Sequence, residues 1–342
     1  MPTQTLLLKQ ESETDEKYGC APQNRKIKEY VINGLVNLDK PRGPTSHEVA
    51  AWVRNIFGSV NTQKASSEAQ RNEMIFSSFG VTKAGHSGTL DPNVTGVLPM
   101  AIQNSVKIIP ALIRAPKEYV AIMHLHKTVS EKLIRATFKK FTGEIEQMPP
   151  KLSGVKKRLR KRNIHYLEIL EIDGENILFR VGCEAGTYIR TLCVDFGKKL
   201  NIGAHMQELR RTKAGNFKEI NSVNLQAVKD AVETYLEKGD EIELRKIILP
   251  VEYGVRHLEK IFIKDNAVSA VANGAPLGVG GISKITDGIE PNQMVAIMTL
   301  KDELVALGSA QMTSQEILKR EKGIAAKINR VILPAGIYPK GW

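Results

Sequence analysis

A glycine-rich segment, Gly85 to Pro92, constrains the fold of this chain more than any other part of the sequence. It contains one carboxylate, Asp91, directly before the proline, and the apolar residues Val94 and Val97 follow at once. The segment therefore predicts a tight turn that leads into the core. A charge at such a place is costly unless something compensates it. This favours a site with a positioned, partly desolvated carboxylate. A turn aspartate that bonds backbone amides is the simpler alternative.

The overall charge indicates a polyanionic partner. The 342 residues include 49 Lys and Arg against 37 Asp and Glu, a net charge of +12, and the excess of basic residues is typical of proteins that bind nucleic acid. Hydrophobic residues make up 42% of the chain, which is ordinary for a globular protein. No apolar run approaches the roughly 20 residues that a membrane span needs, and the polar N-terminus does not resemble a secretory signal. We therefore expect no membrane partner.

The cysteines predict neither a disulfide framework nor a metal site. Cys20, Cys183 and Cys193 lack the spacing of Cys/His metal motifs. Such a sparse, odd set is typical of a reducing compartment, so we expect a cytoplasmic protein. The sequence contains no Walker-type loop, no metal triad and no dinucleotide-binding glycine motif after a strand. We expect no metal and no organic cofactor.

Two basic clusters are the candidate RNA contacts. Six of the seven residues at 156–162 are cations, and a second cluster lies at 210–213. Lysine and arginine that neutralise phosphates supply most sequence-independent affinity for nucleic acid, although a solvated face is the alternative for either cluster. The candidate RNA-binding residues are Lys156, Lys157, Arg158, Arg160, Lys161, Arg162, Arg210 and Arg211.

The first part of the chain predicts an α+β body. Residues 1–33 form an N-terminal arm, and the first strand is expected over Tyr30 to Leu38. Thr45 and Glu48 have the spacing of a capping box, and apolar residues at helical spacing follow them. Residues 59–79 are mostly polar and are interpreted as an exposed insertion.

Strands and helices are expected to alternate beyond the Asp91 turn. A strand over 119–125 and a helix over 130–141 precede two strands, 164–172 and 177–183, that are joined as a hairpin. Gly186 and Thr187 are expected to cap another helix. The α+β body spans 34–251 in this interpretation.

The C-terminal part predicts a second domain. Residues 252–335 are rich in short β-like segments and glycine turns, which is typical of a small β-barrel, and 336–342 are a tail. We expect the N-terminal arm to pack on this barrel. The predicted fold class is α+β, with a central mixed or antiparallel sheet, flanking helices and the barrel.

Arg190 and Tyr119 are the further candidates for chemistry. Arg190 is predicted in the first turn of a helix, where the helix dipole disfavours a cation, so a pair with Asp91 would explain both charges. A surface arginine is the alternative. Tyr119 begins a strand and is either a core aromatic or a ring that stacks on an extruded base. His86 and Tyr188 have similarly open interpretations. The residues alone indicate a basic two-domain protein with an Asp/Arg/Tyr site and an RNA or nucleotide partner.

Five segments resemble the TruB-type pseudouridine synthases. They are 34–49, 84–100, 117–121, 183–192 and 205–212. Within this family the chain is similar to the archaeal form of the dyskerin-type catalytic subunit of H/ACA ribonucleoproteins, and the tail resembles a PUA domain. The chain lacks the Asp-Thr-x-Asp-x-x-Gly segment that follows the strand of Tyr119 in stand-alone enzymes, and Pro149-Pro150 leads into the basic cluster. Both features favour the guide-RNA branch.

The resemblance implies a role for each matching residue. Asp91 matches the family's nucleophile, Arg190 its ion-pair partner, and Tyr119 the tyrosine that stacks on the base. Tyr188 and Leu209 match other positions of the substrate pocket, and His86 matches a residue that helps to extrude the base.

The resemblance also implies a function and partners. The implied function is RNA-guided isomerisation of uridine to pseudouridine in ribosomal RNA, with a tRNA T-loop uridine as a further substrate. The implied partners are an H/ACA guide RNA and small H/ACA proteins: a zinc-ribbon-like peptide, a Gar-type β-barrel protein and a kink-turn binder. A stand-alone tRNA enzyme and a non-catalytic RNA scaffold are the alternatives.

Overall fold

The computed structural model describes residues 4–58, 79–149 and 156–340. Within these ranges the chain forms seventeen strands and nine α-helices. The strands are β1 (Leu6–Leu8), β2 (Gly34–Lys40), β3 (Ala84–His86), β4 (Thr95–Ile102), β5 (Lys117–Leu125), β6 (Gly143–Gln147), β7 (Arg160–Asp173), β8 (Asn176–Cys183), β9 (Ala204–Ala214), β10 (Phe217–Lys218), β11 (Ile248–Pro250), β12 (Glu259–Ile263), β13 (Leu277–Gly278), β14 (Ile282–Thr286), β15 (Met294–Thr299), β16 (Leu304–Ala310) and β17 (Ile324–Val331). The helices are α1 (Ile27–Ile32), α2 (Ser46–Gly58), α3 (Ile109–Arg114), α4 (Glu131–Lys139), α5 (Ile189–Lys199), α6 (Leu225–Lys238), α7 (Ile242–Ile247), α8 (Asp265–Ala272) and α9 (Ser314–Lys319).

The larger sheet carries the candidate site. Its strand order is β11-β2-β4-β9-β5-β8-β7-β6, with β3 paired to β4 and β10 paired to β9. The β4–β9 pair is parallel, and the other pairs of this sheet are antiparallel. The mixed sheet with flanking helices confirms the α+β fold class.

Helices cover this sheet through two apolar cores. Val53 and Phe57 of α2 share one core with Leu98 of β4 and Val228 of α6. The ring of Phe138 in α4 lies 4.8 Å from that of Phe196 in α5, and both belong to a second core with residues of β5 and β8. The capping box is confirmed at the start of α2, where the Glu48 amide donates to Thr45 Oγ1 at 3.1 Å.

The smaller sheet contains the C-terminal strands and one N-terminal strand. Its order is β1-β14-β12-β15-β16-β17-β13, so that residues of the arm pair with Ile282–Thr286. A third apolar core joins the two sheets, with Leu35 and Val97 on one side and Leu304 and Leu307 on the other. A buried ion pair between Arg25 and Glu252, 2.7 Å apart, lies at the same junction.

Two sequence predictions need correction, and a third lies almost wholly outside the described residues. Residues 27–32 form a helix and not the start of a strand, because Ile27, Tyr30 and Val31 are buried at helical spacing. Thr187 does not cap α5: its hydroxyl donates to the Glu184 carbonyl, and Tyr188 is the N-cap residue. The predicted insertion lies outside the described residues except for Phe79, which is buried.

The β4–β9 contact depends on one glycine. Gly96 has φ +104°, and a Cβ there would lie 2.2 Å from the carbonyl oxygen of Arg211. Only glycine adopts this conformation without strain and lets the two backbones approach so closely. Gly96 therefore permits the pairing that joins β2 and β4 to the rest of the sheet.

We predict that Gly96→Ala destabilises the fold far more than Gly143→Ala. Gly143 also has a positive φ, +94°, but no other described atom lies within 4 Å of the place that a Cβ would occupy there. The control, Gly143→Ala, should lose about 1–2 kcal/mol of stability, because it introduces backbone strain but no clash. Gly96→Ala should lose about 1–3 kcal/mol more because of the clash. Urea unfolding measures both, and equal losses would contradict this account of the β4–β9 contact.

Candidate active site

The Asp91 turn is fixed by bonds on both sides. Gly85 pairs with Ala101 as part of the β3–β4 ladder, which sets the start of the segment. Ser46, the first residue of α2, accepts a hydrogen bond from the Leu90 amide at 2.8 Å and donates to the Leu90 carbonyl at 3.1 Å. The Val94 amide then donates to the Asp91 carbonyl at 3.0 Å. The backbone is thus bonded directly before and after the carboxylate.

A buried lysine lies beneath the same turn. The side chain of Lys40 is fully buried, and its ammonium donates to the carbonyls of Pro41, Pro92 and Val94 at 2.9–3.0 Å. Burial lowers the pKa of Lys40, and the nearby Asp91 charge partly opposes that shift. Lys40 therefore connects the end of β2 to the Asp91 turn through three carbonyl groups.

Asp91 pairs with Arg190 across 99 residues of sequence. An Arg190 terminal nitrogen donates to Asp91 Oδ2, and α5 presents this arginine in its first turn. The two side chains remain 48% and 52% exposed, so the protein alone removes only part of the water from this pair. Exposed pairs contribute at most about 1 kcal/mol, so folding stability does not explain why they meet.

Tyr119 and Leu209 lie on adjacent strands at the base of the site. Both side chains are partly buried, and both contact the α2/α6 core and the α4/α5 core. Burial raises the pKa of the Tyr119 hydroxyl, and the Arg211 guanidinium opposes that shift. The site therefore has an apolar base at the junction of the two cores.

Tyr188 is positioned by an amide that the sequence reasoning missed. Gln147, 2% exposed at the end of β6, accepts from the Tyr188 amide at 3.0 Å and donates to the Tyr188 carbonyl at 3.1 Å. Tyr188 is the N-cap residue of the helix that carries Arg190. A single glutamine before two prolines carries no sequence signal for this contact.

His86 is a neutral imidazole. Burial lowers its pKa to about 4, with smaller contributions from His47 and Arg211. The Gly88 amide donates to His86 Nδ1 at 3.3 Å, so this nitrogen carries no proton and Nε2 carries it. The ring of His47, another residue without an assigned role in the sequence interpretation, lies edge-on at 4.9 Å.

The two arginines of the second basic cluster are engaged within the protein. Arg210 donates to Asp39 at 2.9 and 3.1 Å and also pairs with Glu219. Arg211 is 1% exposed. The prediction that Arg211 contacts RNA is wrong, because alternation along β9 directs this side chain into the protein.

The first basic cluster is largely exposed. Lys156, Lys157 and Arg158 are exposed residues before β7, whereas Lys161 pairs with Glu144 at 2.9 Å. Arg160 and Arg162 are half-buried. A guanidinium nitrogen of Arg162 lies 3.1 Å from the position of a Cβ on Gly186, two residues before Tyr188. The cluster therefore extends to the loop that presents Arg190.

Neither a metal site nor a membrane-spanning helix is found in the described residues. No group of three His, Cys, Asp or Glu side chains in ranges 4–58, 79–149 and 156–340 is arranged to bind a metal ion. No helix in those ranges combines the length and apolar character needed to cross a bilayer.

Comparison with known proteins identifies the family. The model of the TruB family pseudouridylate synthase N-terminal domain matches residues 77–189, and that of the tRNA pseudouridylate synthase B C-terminal domain matches 190–256. A PUA domain matches 259–332 and a DKCLD (NUC011) domain matches 2–50. The chain belongs to the TruB family and is a pseudouridine synthase.

Relatives and solved structures match along nearly the whole chain. "Probable tRNA pseudouridine synthase B" of Methanopyrus kandleri is 50% identical over 98% of this chain and 93% of its own length. The relative of the same name from Pyrococcus abyssi is 51% identical over 97% and 93%. A chain of an H/ACA RNP bound to a substrate RNA containing 2′-deoxyuridine is 47% identical, with a TM-score of 0.87 over 99% and 98%. One from a Cbf5-Nop10-Gar1 complex is 48% identical, with a TM-score of 0.90 over 99% and 97%.

We predict that Lys40→Met destabilises the protein by about 1–3 kcal/mol, because three backbone carbonyls lose the donor that the buried lysine supplies. Thermal and urea unfolding measure the loss. The control is Lys132→Met, at an exposed position of α4, which should change the free energy of unfolding by no more than about 0.5 kcal/mol. Similar values for the two variants would refute the role of Lys40 beneath the turn.

Proposed function

We propose that this pseudouridine synthase modifies ribosomal RNA under the direction of an H/ACA guide RNA, with Asp91 as nucleophile. The observation that carries the assignment of Asp91 is its pairing with Arg190, which comes from a distant part of the sequence. The turn and α5 bring both charges to one exposed place above Tyr119 and Leu209. Likeness to H/ACA protein structures over 99% of the chain, including the arm and the PUA domain, supports the guided branch.

The proposed reaction is an isomerisation in four steps. Asp91 attacks the target uridine, at the sugar or at the ring, and the bond between C1′ and N1 breaks. The uracil rotates, C5 forms the new bond to C1′ and the bond to Asp91 breaks, and C5 loses its proton while N1 gains one. Atoms and electrons therefore balance without a redox partner. Tyr119 stacks on the base, while Tyr188 and Leu209 border it.

The two charges have complementary tasks in this reaction. Arg190 carries a permanent positive charge, so it attracts the Asp91 carboxylate and orients it when RNA covers the site. Neutral His86 can enter the space that the extruded base leaves, at a smaller desolvation cost than a cation. Extrusion itself costs a few kcal/mol, which stacking on Tyr119 offsets.

The partners and the compartment belong to the same proposal. The small H/ACA proteins would assemble with this chain, as Nop10 and Gar1 do with Cbf5 in the similar complex. All three cysteines are free, two of them buried, which supports a reducing compartment and therefore the cytoplasm. A stand-alone activity on tRNA is the second candidate, supported by the names of the relatives.

We predict that Asp91→Asn forms no pseudouridine but binds RNA with nearly unchanged affinity, because only the nucleophile is lost. Conversion is measured by mass spectrometry on ribosomal RNA and on tRNA, with and without guide RNA and partner proteins. Product from the mutant would refute Asp91 as nucleophile. Wild-type activity on tRNA alone, independent of guide RNA, would favour the stand-alone enzyme.

We also predict a steep salt dependence of RNA binding that the exposed basic cluster supplies in part. Changing Lys156, Lys157 and Arg158 to Gln should reduce the slope of log K against log salt by about 2–3, since each phosphate contact contributes about 0.7–0.9. Filter binding at several salt concentrations measures the slope. A control that changes Lys229, Lys238 and Lys246 of α6 and α7 should leave it unaltered. An equal effect of both triple variants would contradict a specific role for residues 156–158.

A further inference from the structure

Arg211 is a buried charge without a carboxylate partner among the residues that the structure describes. Its side chain is 1% exposed and is the largest of the fully buried side chains. An arginine taken out of water without an acidic partner costs several kcal/mol. The neighbouring Arg210, by contrast, has two carboxylates. A feature that opposes stability in this way points to a requirement other than folding.

The guanidinium bonds to backbone on both sides of the Asp91 turn. Its Nε donates to the Val97 carbonyl at 2.6 Å, and its two terminal nitrogens lie 3.3 and 3.4 Å from the Gly88 carbonyl. Gly88 precedes Asp91 by three residues, and Val97 follows it by six. One planar group therefore connects the turn to β4.

The same side chain also acts on Tyr119. Arg211 and Tyr119 are cross-strand partners on β9 and β5, directly beside a register shift between Glu118 and Tyr119. Such bulges re-aim side chains and are frequent beside active sites. Burial raises the pKa of the Tyr119 hydroxyl, and the nearby Arg211 charge opposes that shift. For His86, burial is the main cause of the lowered pKa, and the Arg211 charge adds to it.

We propose that Arg211 is a positioning residue for pseudouridine formation: it sets the Asp91 turn and the Tyr119 ring in one fixed relation. The inference rests on the roles proposed for Asp91 and Tyr119. Arginine suits this task because its fork reaches several acceptors in fixed directions, which a lysine ammonium does not. Gly96 supports it from the other side, since its close approach to the Arg211 backbone fixes where the side chain begins.

The test compares Arg211→Met and Arg211→Lys with Arg25→Met in single-turnover assays with guide RNA and partner proteins. Arg25 is suitable as a matched control because it is 4% exposed and lies away from Asp91, against Glu252. We expect Arg211→Met to lower the rate constant at saturating RNA about 100-fold, the loss that a misplacement of about 1 Å can cause. RNA affinity should change little. Arg211→Lys should restore part of the rate, and Arg25→Met should lower the melting temperature without lowering the rate at permissive temperature.

The titration of the Tyr119 hydroxyl, followed by NMR, tests the same proposal without a rate measurement. With 3,5-difluorotyrosine at position 119, ¹⁹F NMR should show a higher titration midpoint in Arg211→Met than with Arg211 present, because a neighbouring cation is removed. If Arg211→Met does not fold, a wild-type rate in Arg211→Lys overturns the proposal. An unchanged rate or midpoint in folded Arg211→Met does the same. Asp91→Asn is assayed in parallel: if it is inactive while the Arg211 variants are fully active, only this inference fails, whereas an active Asp91→Asn refutes the proposed site.

Discussion

The parallel contact of β4 with β9 is the constraint on which the site depends. Asp91 belongs to the connection between β3 and β4, whereas Tyr119 and Arg190 belong to β5 and α5. Only β9 lies between these two groups in the strand order β2-β4-β9-β5. The pairing is short, with Thr95 opposite Arg210 and Gly96 opposite Arg211. Two halves of the sheet, each with its own helical core, therefore meet along one brief ladder, and the candidate site lies where they meet.

Buried cations with backbone carbonyl partners recur around this junction. Lys40 and Arg211 contact the backbone beside Asp91, and Lys117 donates to three carbonyls in and directly after α3. Burial lowers the pKa of Lys117 to about 7. A carboxylate partner would neutralise such a charge, but it would also place a second anion beside the Asp91 turn. Carbonyl groups satisfy the donors without placing another negative charge beside Asp91.

Local rules predicted the parts of the fold that depend on neighbours in sequence. The Thr45–Glu48 capping box and the hairpin of β7 and β8 follow from residues a few positions apart. The pairing of Asp91 with Arg190 was expected because each charge lacked a local partner. Tyr30 was assigned to the first strand, but it lies in α1, where it is buried together with Ile27 and Val31.

Other features could not be predicted because they depend on which strands become neighbours. In the pair Arg210-Arg211, alternation along a strand requires opposite directions, but the sequence does not say which arginine points inward. The answer depends on the approach of β4 at Gly96, a contact between segments more than 100 residues apart. The same holds for Gln147, whose partner Tyr188 is 41 residues away. On charge alone, both arginines were predicted to lie on the surface, but only the side chain of Arg210 is accessible.

The half-exposed Asp91–Arg190 pair shows that two requirements of the site, correct positioning and exclusion of water, are met separately. Geometry is supplied by the protein, since the turn, α5 and their backbone partners position both groups. Exclusion of water is not, because about half of each side chain remains exposed. In the proposed reaction the substrate must supply the missing cover, and a uridine at the wrong place leaves the carboxylate hydrated and a poorer nucleophile. Selectivity would then arise from how completely the RNA closes the site. The guide and the basic surface would select the uridine, whereas the residues proposed for the chemistry are already in position before RNA binds.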